Sequence, residues 1–178
     1  MPVIDRKNMN PYHRQAYPGR LRERTTGCWK WRLSDAGGLT QFGAGEVELA
    51  PGASTGLYHY HVAEDEFVYV LDGEVVLVEG DAEHLLGAGD AVTFKAGEPV
   101  GHSFENRCGA PVRLLEIGHR HPDGETAFYP GLDLVYRRTG NEVRFERRDG
   151  TPVAPEHEIT RLVDDPADRK PPSPLDIP

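Results

Sequence analysis

The chain has 178 residues and a formal net charge of -9, with 28% charged and 38% hydrophobic residues. This length suits one domain with terminal extensions, because domains of roughly 100 to 150 residues are the commonest. The acidic balance disfavours binding to nucleic acid or to an anionic membrane, since both require a basic surface. The 20 glycines and 15 prolines favour short strands joined by turns, so an all-β fold is expected.

The cysteines and the N-terminus predict the compartment. Cys28 and Cys108 have neither a CxxC spacing nor the density of a disulfide framework, which predicts reduced thiols. Residues 1–15 are polar and charged where a signal peptide would be apolar, and no stretch approaches the ~18 apolar residues of a membrane span. A cytoplasmic protein without a membrane anchor is expected.

The first predicted strand carries both tryptophans of the chain. Trp29, Trp31 and Leu33 alternate with two basic residues, which is the period of a half-buried strand, and the tryptophans are expected to cover a sheet face. A second strand is predicted over 39–49, where Gln41 points inward if the alternation survives two glycines. An inward glutamine would either contact a ligand or be a hydrogen-bonded core amide.

Two histidines follow at strand spacing. The predicted strand 57–61 places His59 and His61 on one face, about 6 to 7 Å apart along the backbone, so both imidazoles can reach one ion. A polar corner then leads into a strand over 66–71 that begins with Glu66. The carboxylate of Glu66 is therefore expected beside the histidine pair.

Turn signals divide most of the remaining chain into short strands. These strands are predicted over 74–79, 91–94, 102–106, 112–117, 132–136 and 143–145. Such a pattern is typical of a sandwich, jelly roll or barrel. The predicted organisation is an N-terminal extension over 1–26, a β-barrel domain over 27–148 and a Pro-rich charged tail over 149–178.

A third histidine, His102, returns on a distant strand. The imidazoles of His59, His61 and His102 with the carboxylate of Glu66 suit borderline divalent ions such as Fe, Mn, Co, Ni or Zn, and they leave coordination positions open. An open site favours ligand binding or catalysis over a purely structural metal.

The pair His119 and His121 provides an internal comparison. It has the same spacing as the first pair, but it ends a strand beside a proline and no carboxylate follows at a suitable position. We interpret it as a solvated strand end.

The spacing of the candidate ligands resembles the first motif of the cupin superfamily. That motif is a glycine, five residues, His-x-His, three or four residues, Glu, six residues and Gly. His59, His61, Glu66 and Gly73 match it, whereas Gly52 lies one residue too far upstream.

The second cupin motif is a glycine, five residues, Pro-x-Gly, two residues, His, three residues and Asn. The matching residues are Gly89, Gly97, His102 and Asn106. Lys95 stands at the proline position, and four residues instead of two separate Gly97 from His102. The loop before His102 is therefore rebuilt, with Pro99 as a candidate for its turn.

The resemblance implies a cupin-type jelly-roll barrel with a metal site of three histidines and one glutamate. The amino-acid sequences of residues 38–43, 64–71 and 129–130 are similar to those of uncharacterised bacterial single-domain cupins. By resemblance, the protein is an enzyme of the dioxygenase, isomerase or lyase type that acts on a small polar molecule. Two alternatives stay open: a non-catalytic module that binds a metal and a small molecule, and a metal-free cupin whose His and Glu residues perform acid-base chemistry.

Four further residues are candidates for the substrate pocket, and each has a structural role as its alternative. They are Gln41, Tyr69, Phe104 and Glu116. A homodimer is expected, because an open β-sandwich has edges that need covering and the Trp-bearing strand can pair with a second subunit.

Overall fold

The computed structural model describes residues 3–13 and 17–154, and within them fourteen β-strands dominate. The first seven strands are β1 (Tyr12–His13), β2 (Cys28–Arg32), β3 (Phe42–Leu49), β4 (Tyr60–His61), β5 (Glu66–Asp72), β6 (Glu74–Glu79) and β7 (Ala82–Gly87). The remaining strands are β8 (Ala91–Phe94), β9 (His102–Glu105), β10 (Val112–His119), β11 (Glu125–Phe128), β12 (Val135–Thr139), β13 (Glu142–Glu146) and β14 (Pro152–Val153). Short 3-10 helices cover Arg6–Asn8 and Gly19–Thr25, and the α-helix α1 covers Leu33–Ala36.

The strands form three sheets. The six-stranded sheet has the order β1-β2-β3-β10-β5-β8, the five-stranded sheet the order β14-β13-β12-β11-β4, and the three-stranded sheet the order β7-β6-β9. The predicted all-β jelly-roll class is confirmed, although the three sheets do not join into one continuous ring. Among the described residues, no helix is long and apolar enough to cross a membrane.

One core lies between the six-stranded and the three-stranded sheet. Alternate residues of the strands point into it, as the period of a β-strand requires. Its buried members are Cys28, Val47, Leu49, Ala53, Val68, Val70, Val75, Leu77, Phe104, Val112 and Leu114. This core closes one end of the barrel, and polar side chains continue on the same inward faces at the other end.

A second core lies against the five-stranded sheet and includes a residue from the N-terminal segment. Tyr17 packs there with Tyr129, Leu134 and Val153, and its hydroxyl accepts a hydrogen bond from the Leu57 N–H at 3.3 Å. Tyr17, within the predicted N-terminal extension over 1–26, therefore belongs to a core, and local periodicity does not indicate this. Of the predicted tail over 149–178, residues 155–178 lie outside the described residues.

The tryptophans cover the outer face of the six-stranded sheet, and the N-terminal segment packs over them. The Arg6 guanidinium lies 3.6 Å from the centroid of the Trp31 ring, and the His13 ring lies 4.4 Å from that of Trp29. The pairing of β1 with β2 also occupies the strand edge at which a second subunit was expected.

The structure differs from the predicted elements in four further places. Leu33 begins α1 instead of continuing β2, and β3 begins at Phe42, so Gln41 lies in an exposed bend. Two strands were not predicted: β7, whose side chains are mostly exposed on both faces, and β11. Because β7 lacks one buried face, it has no alternation by which it could be recognised.

Candidate metal centre

Backbone pairing places His102 directly opposite His59. The His59 N–H donates to the His102 carbonyl at 3.1 Å, and the His102 N–H donates to the His59 carbonyl at 2.8 Å. This reciprocal pair fixes the position of His102 whatever the length of the loop before it. Within that loop, the Gly97 N–H donates to the His61 carbonyl at 2.9 Å, which ties the rebuilt turn to the histidine strand.

The four predicted ligands converge on one point. The Nε2 atoms of His59 and His61 are 3.2 Å apart, His102 Nε2 lies 3.0 Å from Glu66 Oε2, and His61 Nε2 lies 3.7 Å from the same oxygen. One ligand atom from each residue lies within 4.8 Å of all the others. Ligands about 2.1 Å from a shared ion and at right angles would be about 3 Å apart, so these separations suit a single ion.

Neighbouring groups orient two of the imidazoles. The Nδ1 atom of His59 lies 2.6 Å from the Leu57 carbonyl and can donate to it, which leaves the lone pair on Nε2, facing the other ligands. The Phe94 ring stacks on the His102 ring with a centroid distance of 3.6 Å and an interplanar angle of 9°. Both contacts reduce the freedom of the rings before any ion binds.

A buried carboxylate, Glu125, supports the corner between His61 and Glu66. It accepts hydrogen bonds from the N–H groups of Val62 at 2.9 Å and Ala63 at 3.1 Å, and its Oε1 lies 3.7 Å from His61 Nδ1. That last distance exceeds a direct hydrogen bond, so the interaction is one of charge. Glu125 was not predicted from the sequence; the signal that could have found it is the alternation of Glu125, Ala127 and Tyr129, which are all buried.

The cluster shifts the pKa values of its members in opposite directions. Burial lowers the pKa of His61, but the carboxylates of Glu125, Glu66 and Glu64 together raise it by more, and the net shift is upward. Burial raises the pKa of Glu66, but His102, His61 and His59 lower it well below the usual range. Burial also raises the pKa of Glu125. Its interactions with His61 and with the Val62 and Ala63 N–H groups outweigh the effect of burial, so the net shift of this pKa is downward.

Comparison with known proteins shows the family. A family model of the cupin domain matches residues 45–118. A sugar phosphate isomerase of the cupin superfamily from Silicibacter pomeroyi is 42% identical, with a TM-score of 0.81 over 86% of this chain and 97% of that one. The chain belongs to the cupin superfamily.

Two further relatives of this cupin are more distant. A candidate sugar phosphate isomerase from Acidithiobacillus ferrooxidans is 29% identical, with a TM-score of 0.64 over 72% of this chain and 81% of that one. The tetracenomycin polyketide synthase protein TcmJ of Streptomyces glaucescens is 32% identical over 92 residues, which is 46% of this chain. The match spans 60% of TcmJ, less than two thirds of that relative's length.

The four converging residues of this cupin lie in the wall of a cavity of about 840 Å³ between the six-stranded and five-stranded sheets. One side is aromatic: Tyr17, Tyr129 and Phe145 pack together, and the Tyr129 ring lies 6.0 Å from that of His59. The other side carries ion pairs, Lys30 with Glu116 and Arg138 with Glu64. The cavity therefore offers an apolar face and charged groups to one ligand.

The structure brings only part of the predicted pocket to this cavity. Phe104 and Glu116 line it. Gln41 lies outside it, because β3 begins one residue later, and borders a hollow on the outer side of the sheet. Tyr69 points to the outer face, since its neighbours Val68 and Val70 point into the core. Neither Gln41 nor Tyr69 therefore lies in this cavity, and their place in a substrate pocket stays a prediction.

The second histidine pair remains apart from the converging group. His119 ends β10 as an exposed residue, and the ring of His121 packs edge-on against it at 5.8 Å. Among the described residues, neither histidine belongs to a group of three or more potential ligands.

Proposed function

We propose that this cupin is a metal-dependent enzyme that isomerises a small hydroxy-carbonyl compound by proton transfer. The observation that carries the proposal is the convergence of three imidazole nitrogens and one carboxylate oxygen in the wall of a cavity between two sheets. The same set of donors is typical of sites for borderline divalent ions.

The donor set fits an ion by its protonation as well as by its distances. Two imidazole Nε2 atoms 3.2 Å apart must either share a proton or face a common cation, and His59 is already set to present a lone pair. His59, His61, Glu66 and His102 would hold Fe, Mn, Ni or Zn. An ion held there would supply a Lewis acid that polarises a carbonyl or hydroxyl oxygen.

The relatives support isomerisation over the other reactions open to a cupin. The Silicibacter pomeroyi protein, described as a sugar phosphate isomerase, is 42% identical over most of both chains. The cavity suits such a substrate, because aromatic rings can cover the C–H face of a sugar while charged side chains contact its hydroxyl groups. Sugar phosphates are therefore the first compounds to test.

Two measurements on one preparation test the proposal. Protein purified without an affinity tag or chelator is expected to contain a stoichiometric divalent metal by elemental analysis. It is also expected to interconvert aldose and ketose phosphates of three to six carbons, followed by proton NMR. Turnover without metal would favour the acid-base alternative, and metal with ligand binding but no turnover would favour a binding module.

A second candidate function is the conversion of an aromatic substrate. The aromatic side of the cavity, where Tyr17, Tyr129 and Phe145 meet, favours it, and so does the similarity to a polyketide synthase protein. Ligand binding separates the two candidate functions. If the second is correct, a polycyclic phenol should bind, and its own fluorescence should be quenched on binding. Binding of sugar phosphates without any binding of the phenol would exclude it.

We also propose that the protein forms a homodimer through the outer face of the six-stranded sheet. Trp29, Phe42 and Leu71 are large apolar residues on this face with roughly two fifths of their surface exposed, at 39%, 40% and 37%. Light scattering at micromolar concentration is expected to give twice the chain mass of 19.8 kDa. A monomer mass at that concentration would contradict the proposal.

A further inference from the structure

Lys30 and Glu116 form an ion pair inside the cavity. Lys30 Nζ lies 2.5 Å from Glu116 Oε2, and the Glu116 residue is only 6% exposed. Glu116 follows Val112 and Leu114 on the inward face of β10, so it continues the row of core residues toward the open end of the barrel. The two ionised groups thus lie where a ligand in the cavity would meet them.

A glycine in the strand between them makes this pair possible. Lys30 is on β2 and Glu116 on β10, and β3 lies between these strands with Gly45 directly opposite Glu116. A Cβ atom at Gly45 would be 2.8 Å from Lys30 Cε and 3.0 Å from the Trp31 carbonyl oxygen. The missing side chain therefore provides the path along which Lys30 crosses the sheet.

The pair lies next to the converging ligands on the inner face of the same sheet. Glu116 is paired with Val68 on β5, and Glu66 is paired with Gly118, two residues further along β10. Such a diagonal step between neighbouring strands is about 7 to 8 Å. One small molecule can therefore contact both Glu66 and the Lys30–Glu116 pair.

A purely structural role accounts poorly for this pair. Buried ion pairs contribute little net stability, because the cost of removing both charges from water offsets their attraction. Within the described residues, the Glu116 side chain accepts one hydrogen bond, from Lys30 to Oε2, and its second carboxylate oxygen has no protein partner. The cavity residue Glu64 instead accepts two hydrogen bonds at one carboxylate oxygen, from the His121 N–H and from Arg138.

We propose that Lys30 and Glu116 are the general acid and general base of this cupin. This proposal rests on the proposed isomerase function. Glu116 removes the proton from the carbon next to the carbonyl, the electron pair of that C–H bond forms the C=C bond of an enediol, and Lys30 protonates the carbonyl oxygen. Glu116 then returns its proton to the former carbonyl carbon while Lys30 recovers a proton from the neighbouring hydroxyl, which becomes the new carbonyl. The cycle consumes no proton and no electron.

Exchange of substrate hydrogen with solvent tests the pair directly. Aldose and ketose phosphates of three to six carbons are incubated in D2O with wild-type, Glu116→Gln and Lys30→Met protein, and deuterium at carbon is followed by NMR. We expect each substitution to slow deuterium incorporation by at least ~100-fold. Metal content and affinity for the matching alditol phosphates, which lack the carbonyl, are expected to change less than about twofold, because the metal ligands are untouched.

Two further variants separate chemistry from folding. Glu146→Gln removes a buried carboxylate that pairs with Arg137 away from the cavity, and it should leave the exchange rate unchanged. The double variant Lys30→Met/Glu116→Gln leaves no unpaired charge, so it should fold normally and still lack exchange.

Three outcomes decide the proposal. Loss of exchange in the variants with metal content and alditol binding retained supports it. Exchange within about fivefold of wild type in Glu116→Gln overturns the acid-base assignment and leaves the isomerase function standing. Absence of exchange in wild type across the whole panel overturns both.

Discussion

His59 is the best-oriented of the four candidate ligands, because the Leu57 carbonyl fixes its ring and its backbone pairs with that of His102. We expect His59→Ala to weaken binding of a divalent ion by more than ~100-fold, since the loss of a ligand should exceed the effect of losing an outer partner. Competition with a chromophoric chelator measures this affinity.

The matched control for that substitution is His84→Ala. His84 lies on β7 with an exposed side chain, and it is the one other histidine between the two motifs. Its removal should leave the affinity unchanged. A loss of affinity in His84→Ala equal to that in His59→Ala would show that the measured ion binds elsewhere.

Protonation of the cluster predicts opposite pH dependence for the metal-free and the metal-loaded protein. The raised pKa of His61 stabilises the metal-free fold below its ordinary value of 6.5, and this stability is lost as pH rises through the raised value. The lowered pKa of Glu66 stabilises the fold above 4.5, and this stability is lost as pH falls through the lowered value. The cluster thus favours the metal-free fold most between about pH 4.5 and 6.5.

A bound ion reverses the pH dependence of stability at the upper end of this range, because the ion requires neutral imidazoles. Between about pH 6 and pH 8, the melting temperature of the metal-free protein should therefore fall relative to that of metal-free His61→Gln, while the stabilisation gained by adding Zn should grow. Calorimetry with and without chelator provides both quantities. A wild-type advantage over His61→Gln that increases with pH in the metal-free state would contradict the assignment of the upward shift to His61.

The corner between β4 and β5 determines whether His61 and Glu66 meet, and Glu125 of β11 holds that corner. We expect Glu125→Gln to keep an acceptor for the Val62 N–H but to remove the charge that faces His61, and so to weaken metal binding by about 10-fold. The same chelator competition measures it. Glu142→Gln, an exposed substitution on β13, is the control, and equal effects of the two substitutions would argue against a specific role for Glu125.

Most strands with one buried face could be predicted from the sequence, although β11, which also has one, was missed. The alternation of β5, β6 and β10 reflects one inward and one outward face, and these strands were predicted close to their observed bounds. The exposed strand β7 has no such pattern. The inward direction of Gln41 was wrong because it depended on where β3 begins, which the neighbouring strand β10 determines.

The residues of the candidate site also differ in how far the sequence predicts their positions. The convergence of His59 and His61 follows from a period of two, and Glu66 follows at the start of the next strand. The approach of His102 does not follow from the sequence, because its loop is rebuilt. Its position depends on backbone pairing with His59, which the residue types do not indicate. Lys30 could not be connected to Glu116 from sequence, because their contact across Gly45 requires the order of three strands.

At the scale of the whole molecule, the N-terminal segment completes the cavity. Tyr17 is 3% exposed, and its ring packs edge-on against that of Tyr129 at 5.8 Å. We expect Tyr17→Ala to lower the free energy of unfolding by about 3 kcal/mol, since it removes a large buried ring. Urea unfolding followed by circular dichroism measures the loss, with the half-exposed Tyr12→Ala as control; an effect below about 1 kcal/mol would contradict the role of Tyr17 in the core.

The contacts of Arg6 and His13 with the two tryptophans determine what intrinsic fluorescence reports in this protein. Both indoles lie on the outer face of the six-stranded sheet, across the sheet from the cavity. Their emission therefore senses the environment of the N-terminal segment more than the presence of a ligand. Because β1 has only two residues, residues 3–13 should detach at a lower denaturant concentration than the one that unfolds the barrel core with Tyr17, and the emission change should precede the loss of circular dichroism.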